Sequence, residues 1–250
     1  MIGIFDSGVG GLSVFREIKK ILPCERYIYY SDNAHCPYGE KTKEYIIDRA
    51  RYITDFLISK GADVIVVACN TATAAAIKTL REEYPVPFIG MEPAIKPAAQ
   101  ITSSGVVGVL ATAGTLKADK YKDTRGKYAD DVTVVEHIGQ GFVELVESGQ
   151  TCGIKAESIV IESVEPLLDA GADTIVLGCT HYPFLAETIS KIASSLAPER
   201  AINIVDPAPA VARHLHEVMT EKGIIRMDGF QLTLKASGDD TTLKNIANSL

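Results

Sequence analysis

One short segment occurs twice in this chain, and it limits the possible folds more than any bulk property does. Gly61-Ala62-Asp63-Val64-Ile65-Val66-Val67-Ala68-Cys69 returns as Gly171-Ala172-Asp173-Thr174-Ile175-Val176-Leu177-Gly178-Cys179, an offset of 179 − 69 = 110 residues. Both cysteines are followed by a threonine within two positions. A weaker echo pairs Gly3–Ser7 (GIFDS) with Gly108–Thr112 (GVLAT), at an offset of 105. Similar offsets at two places suggest two halves built from one ancestral unit.

Short apolar runs alternate with longer amphipathic stretches along the whole length. The runs Met1–Asp6, Tyr27–Ser31, Val64–Ala68, Val86–Gly90, Val106–Leu110, Val132–His137, Thr174–Leu177 and Ile202–Val205 read as strands. Helical patterns span Leu12–Leu22, Thr42–Ser59, Ala72–Glu83, Ile154–Asp169 and Phe184–Leu196. The strands are rich in Val and Ile and little interrupted by polar residues, as expected when both faces of a parallel sheet are covered. The class is α/β. Eight βα steps would also suit a TIM barrel. The duplication favours two pseudo-symmetric lobes instead, each with about 100 residues and a small, mainly parallel, doubly wound sheet.

Composition removes several functions. The chain has 250 residues, 46% of them hydrophobic and 23% charged, which is enough to bury a core. Its net charge of −7 argues against nucleic-acid binding as the main role, since that needs a basic face. No apolar run approaches the roughly 20 residues that span a bilayer. The N-terminus reaches Asp6 without a basic region, unlike a signal peptide, so a cytoplasmic location and reduced thiols are expected. The five cysteines form no CxxC pair, and neither a metal site nor a thioredoxin-type motif is expected.

In parallel α/β sheets, ligands gather outside the carboxyl ends of the strands. Cys69 and Cys179 both follow apolar strands at that end and both precede helices; Ser7 follows the first strand likewise. If the lobes face each other across a pseudo-twofold axis, the two thiols converge on one interdomain cleft. A single free cysteine is ordinarily a small core residue, and Cys24, Cys36 and Cys152 are read that way. A matched pair opening two helices is poorly explained by packing, because helix N-termini and nearby cations activate thiols. Two opposed thiols suit stereoinversion at carbon, one as thiolate base and the other as thiol acid, with the roles exchanged in reverse.

Four segments, FDSGVGGLSV (Phe5–Val14), CPYG (Cys36–Gly39), ACNTATA (Ala68–Ala74) and GCTHYPFL (Gly178–Leu185), resemble the signatures of bacterial glutamate racemases, in order and along essentially the full chain. The SGD at Ser237–Asp239 is similar too. The resemblance implies a cofactor-independent two-base racemase of the aspartate/glutamate racemase superfamily, whose C-terminal segment returns to the first lobe. The lobes are then 1–93 plus 207–250, carrying Asp6, Ser7 and Cys69, and 94–206, carrying Glu147, Cys179 and His181. It implies that Cys69 acts on D-glutamate and Cys179 on L-glutamate. Asp6 supports Cys69, Ser7 contacts substrate, and His181 assists Cys179 with Glu147 as the second supporting carboxylate. Tyr38 with Gly39, Asn70 with Thr71, and Thr180 match substrate-binding segments, and Asp32 also lines the site. The implied setting is D-glutamate supply for peptidoglycan by a homodimer, with a cell-wall precursor as a candidate regulator.

These residue types fit the chemistry. Without a cofactor to delocalise charge, hydrogen bonds from Asn70, Thr71, Thr180 and backbone N–H groups must stabilise the carboxylate as the α-carbon loses its proton. More ordinary readings exist for each helper. Asp6 could merely cap the following turn, His181 could be a surface residue, and Glu147 could be a solvated helical acid. The glycines of Gly8-Val9-Gly10-Gly11 lack the Lys-Ser/Thr of a phosphate loop and read as a tight turn beside a small ligand. Two rivals stay open: aspartate racemase, which shares the paired cysteines but generally carries an acid where this chain has His181, and a non-catalytic two-lobed amino-acid-binding protein, which needs no thiols.

Overall fold

The computed structural model describes residues 1–128, 131–227 and 229–250. The chain forms two compact units, Met1–Glu92 with Ala208–Leu250, and Pro93–Pro207. Each contains its own parallel sheet, so the barrel alternative is excluded.

In the first unit, strands β1 (Ile2–Asp6), β2 (Arg26–Ser31), β3 (Val64–Val67), β4 (Phe88–Gly90) and β9 (Gln231–Ala236) lie in the order β4-β3-β1-β2-β9. In the second, β5 (Val106–Ala111), β6 (Thr133–Ile138), β7 (Thr174–Gly178) and β8 (Asn203–Val205) lie in the order β8-β7-β5-β6. The two orders are the same once β9 is set aside. The register agrees as well: Phe5 pairs with Val67 in the first sheet, and Leu110 with Leu177 in the second. Those partners carry the offsets of 105 and 110 seen in the sequence.

The repeated Gly-Ala-Asp turns out to be scaffold. Gly61 and Gly171 adopt left-handed φ angles of 89° and 92°, ending the preceding helices as a residue without a Cβ does most readily. Ala62 and Ala172 then donate N–H groups to Leu57 and Leu167, at 3.1 and 3.0 Å. The same two leucines close over Gly3 and Gly108, where an added Cβ would meet Leu57 Cδ1 at 3.2 Å and Leu167 Cδ1 at 3.0 Å. Both leucines are fully buried, each contributing roughly 2 kcal/mol of hydrophobic stabilisation. Glycine in the central strand therefore lets a helix settle close on the sheet.

Helix Leu12–Ile21 packs against Ala208–Glu221, and Lys43–Ser59 against Asn70–Glu83; in the second unit Ile154–Asp169 packs against Ala186–Leu196. Strands β1, β3 and β7 are wholly buried, as continuous apolar runs should be. The edge strands β6 and β8 depart from the expected full burial, being only partly covered, and β9, which no expected strand includes, is likewise half-covered. No helix among the described residues is long and apolar enough to cross a membrane.

Candidate active site

The first unit gathers its chemistry at the carboxyl ends of β1, β2 and β3. Strand β1 delivers Asp6, fully buried, whose Oδ1 accepts the Gly8 N–H at 2.7 Å and lies 3.4 Å from Ser7 Oγ. The ordinary reading of Asp6 as a turn cap is thus correct in geometry, and the cap is what presents Ser7. The turn is held further by the Tyr29 hydroxyl, which donates to the Gly8 carbonyl at 2.9 Å. At Gly11 a Cβ would lie 2.8 Å from Asp6 Cβ and from Tyr29 Oη, so this glycine serves close packing on the strand ends.

After β3, Cys69 takes the N-cap position of helix Asn70–Glu83, its Sγ accepting the Ala72 N–H at 3.4 Å. The open N–H groups and dipole at a helix start favour a thiolate there. Sγ lies 3.8 Å from Ser7 Oγ, giving the sequence Cys69, Ser7, Asp6. Asn70 and Thr71 fill the first helical turn and are buried. Asn70 Oδ1 is a buried acceptor with no hydrogen-bond partner among the described residues.

Beside this, Tyr38 and the half-buried Gly39 lie in a 3₁₀ turn packed on the Cys69 helix. The Tyr38 hydroxyl donates to Asp32 Oδ2 at 2.5 Å. Burial first, then the Asp32 carboxylate, pushes the Tyr38 phenol far above its ordinary range, with Cys69 adding to the effect. Asp32, at the end of β2, is fully buried and gripped by Arg49, which donates from Nε to Oδ2 at 2.9 Å and from Nη2 to Oδ1 at 2.7 Å. Asp32, read from sequence as lining the site, is therefore spent on Arg49 and Tyr38.

The second unit is arranged differently. Cys179 follows β7 but caps no α-helix; a 3₁₀ turn, Tyr182–Leu185, intervenes, with Pro183 in its first positions. The expectation that both thiols open helices holds for Cys69 alone. Cys179 Sγ lies 3.8 Å from His181 Nδ1, and His181 Nε2 lies 2.6 Å from Glu147 Oε1. His181 is 2% exposed, so it is no surface histidine, and Glu147 at the end of helix Phe142–Glu147 is tied to it rather than solvated. Thr180, between Cys179 and His181 in the chain, is buried.

Two further residues escaped the sequence reading. Arg49 lies mid-helix in Asp48-Arg49-Ala50-Arg51, where a charge reads as solvated and nothing points back to an acid seventeen positions earlier. Tyr182 is buried against Phe142, ring centroids 4.9 Å apart, and its hydroxyl donates to the Gly139 carbonyl at 3.3 Å. Burial, then Cys179 and Glu144, raises its phenol well above the ordinary range. A neutral tyrosine with its donor occupied therefore stands near each thiol. Of the remaining cysteines, Cys24 and Cys36 are half-buried, but Cys152 is exposed and has no packing role.

The arrangement is a duplicated scaffold with unlike chemistry. The counterpart of Asp6 is Ala111 and that of Ser7 is Thr112, which caps helix Ala113–Lys117. The acid serving the second thiol comes instead from Glu147, through histidine.

The family model described as Asp/Glu/Hydantoin racemase matches residues 2–215. A glutamate racemase of Methylococcus capsulatus is 51% identical over 224 residues, covering 90% of this chain and 81% of the relative. Among solved structures, a glutamate racemase isoform of Bacillus anthracis superposes with a TM-score of 0.87 at 31% identity, covering 100% of this chain and 92% of that one. The Escherichia coli glutamate racemase, solved with L-glutamate and the activator UDP-MurNAc-ala, gives a TM-score of 0.81 at 32% identity, covering 94% and 97%.

Proposed function

We propose that this chain, which belongs to the Asp/Glu/Hydantoin racemase family, interconverts L-glutamate and D-glutamate by proton transfer at the α-carbon between two cysteines, without a cofactor. The observation that carries the reading is the paired half-site: each unit holds one buried thiol backed by a polar side chain that is itself tied to a carboxylate.

In one direction the Cys69 thiolate takes the α-proton of D-glutamate, and the Cys179 thiol delivers a proton to the opposite face. The C–H bond breaks at one face and forms at the other, and the enzyme is left with Cys69 protonated and Cys179 ionised. From L-glutamate the same steps run in reverse. Asp6 acts through Ser7 on the first thiol, and Glu147 orients His181 toward the second. Asn70 Oδ1 accepts from the substrate ammonium, while Thr71 and Thr180 donate to its carboxylates, countering the charge that builds as the α-proton leaves. Tyr38 and Gly39 wall the same side as Cys69.

The product is D-glutamate for peptidoglycan, made in the cytoplasm. A homodimer is what the family resemblance implies, and the activator bound to the E. coli relative supports a cell-wall nucleotide precursor as regulator. The test is incubation with each glutamate enantiomer in deuterated water without added cofactor, alongside Cys69→Ser and Cys179→Ser. Loss of optical rotation with α-deuterium uptake, collapsing in both variants, supports the reading. Exchange with aspartate alone moves the substrate and keeps the chemistry. Binding of glutamate without exchange, unaffected by either substitution, overturns it in favour of a binding protein.

A further inference from the structure

Asp32 carries a carboxylate where no water reaches it, at 0% exposure. A buried charge is stable only when paired and hydrogen-bonded. Arg49 supplies the pairing in its strongest form, two parallel charge-assisted bonds of 2.9 and 2.7 Å from a planar fork. The Asp32 backbone N–H donates to the Asp6 carbonyl at 2.9 Å, which ties the pair to the end of β1. One carboxylate oxygen, Oδ2, receives both the Arg49 Nε–H and the Tyr38 hydroxyl. Tyr38 in turn belongs to the buried cluster that contains Cys69.

We propose that Arg49 is a positioning residue for the first half-site: by keeping Asp32 as an acceptor it holds the Tyr38 hydroxyl turned away from Cys69, so that the phenol neither donates to the thiolate nor competes for the substrate. The assignment rests on the two-thiol reading above and deepens it. Without Arg49 the buried carboxylate loses its only bidentate partner among the described residues, and nothing then fixes Oδ2 where the Tyr38 hydroxyl reaches it. The Tyr38 hydroxyl is then released beside Cys69, and proton transfer on that side alone slows. Lysine keeps the charge but cannot reproduce the fork.

Because the enantiomers are equal in free energy, kcat/KM is the same in both directions and cannot show which thiol is affected. Primary isotope effects can. When transfer at Cys69 slows, removal of α-deuterium by Cys69 becomes more fully rate-limiting, whereas removal by Cys179 becomes a faster preceding step. The experiment measures kcat/KM and its isotope effect with α-deuterated D- and L-glutamate for the full chain, Arg49→Gln and Arg49→Lys, with thermal unfolding as a control. Arg49→Gln is expected to lower kcat/KM by roughly ten- to hundredfold. Its isotope effect rises for the enantiomer that Cys69 deprotonates and falls for the other, and Arg49→Lys lies between it and wild type. Isotope effects that move together, or unchanged kinetics in folded Arg49→Gln, overturn the proposal. Should Arg49→Gln not fold, Arg49→Lys carries the same criterion: it must split the isotope effects in this sense, and adding Tyr38→Phe, which leaves no hydroxyl to release, must narrow that split. A wild-type chain that exchanges no α-hydrogen of glutamate overturns the racemase reading and this inference with it, before any substitution is made.

Discussion

Asp63 and Asp173 occupy the same step of the two halves but are held by different partners. Asp63 Oδ2 receives the Met1 ammonium at 2.6 Å and Arg226 at 3.1 Å. Asp173 receives the Thr102 hydroxyl at 2.5 Å and the Ser103 and Ser104 N–H groups at 2.7 Å each. Duplication kept a carboxylate at the base of the strand, while the groups that satisfy it diverged.

Stability should therefore depend on pH through Asp173. Burial alone would raise its carboxyl, but the bonds from Thr102, Ser104, Ser103 and Thr174 outweigh that and hold it below its ordinary value. A carboxyl lowered on folding stabilises above its unfolded value and loses that contribution as pH falls through the folded one. Asp173→Asn should cost about 1–3 kcal/mol at neutral pH, by weakening the acceptors of two backbone donors. The gap should narrow below about pH 4. Urea unfolding at pH 7, 4 and 3 measures it, and a pH-independent gap would contradict the assignment.

The matched glycines predict matched penalties. A methyl at Gly3 meets Ala62 Cβ at 3.1 Å and Leu57 at 3.2 Å; at Gly108 it meets Leu167 at 3.0 Å. Gly3→Ala and Gly108→Ala should each destabilise by roughly 1–3 kcal/mol, the cost of overpacking a filled core. Comparison of their denaturant midpoints checks this, and a large inequality would show that the halves no longer pack alike.

Removal of the second carboxylate should be felt on one side. Glu147→Gln leaves His181 a neutral partner, and His181→Asn removes the imidazole beside Cys179. Losses of about 10²–10⁴-fold in kcat/KM are expected for His181→Asn, with smaller losses for Glu147→Gln. Because the two act as one chain, the double variant should be little worse than His181→Asn. The isotope-effect asymmetry should be opposite in sense to that of Arg49→Gln.

Thiol labelling should separate the cysteines by burial. Cys152 is exposed, whereas Cys69 and Cys179 are 5% and 7% exposed. A bulky aromatic disulfide reagent should react rapidly at Cys152, and Cys152→Ser should remove that phase while leaving racemisation unchanged. Loss of activity in step with the fast phase would place the label elsewhere.

What the sequence revealed was what recurs locally. Gly61–Cys69 and its repeat contain a turn, a buried strand and a thiol within nine residues, so both sheets could be placed. Strand β9 was missed because QLTLKA alternates along a half-covered edge, and only Leu232 and Leu234, two apart, hint at it. Asp6, Cys69, Cys179 and His181 stand within motifs and were legible as candidates. Arg49 was not, because its partner is fixed by how helix Lys43–Ser59 packs and by no neighbour in the chain. The unlike settings of the thiols were also hidden, since CNT and CTH look interchangeable until one begins an α-helix and the other a 3₁₀ turn.

The order of synthesis gives the discontinuous first unit a particular history. Strand β2 needs β9 beside it, with Ile28 opposite Thr233, and helix Leu12–Ile21 needs Ala208–Glu221. Pro93–Pro207 has no such dependence, because all of its strands lie in one stretch of chain. On the ribosome, the middle of this protein can be finished while its opening strands still wait for the last ones to emerge. A nascent chain halted near residue 207 should hold one native half and one open sheet whose exposed edge is β2.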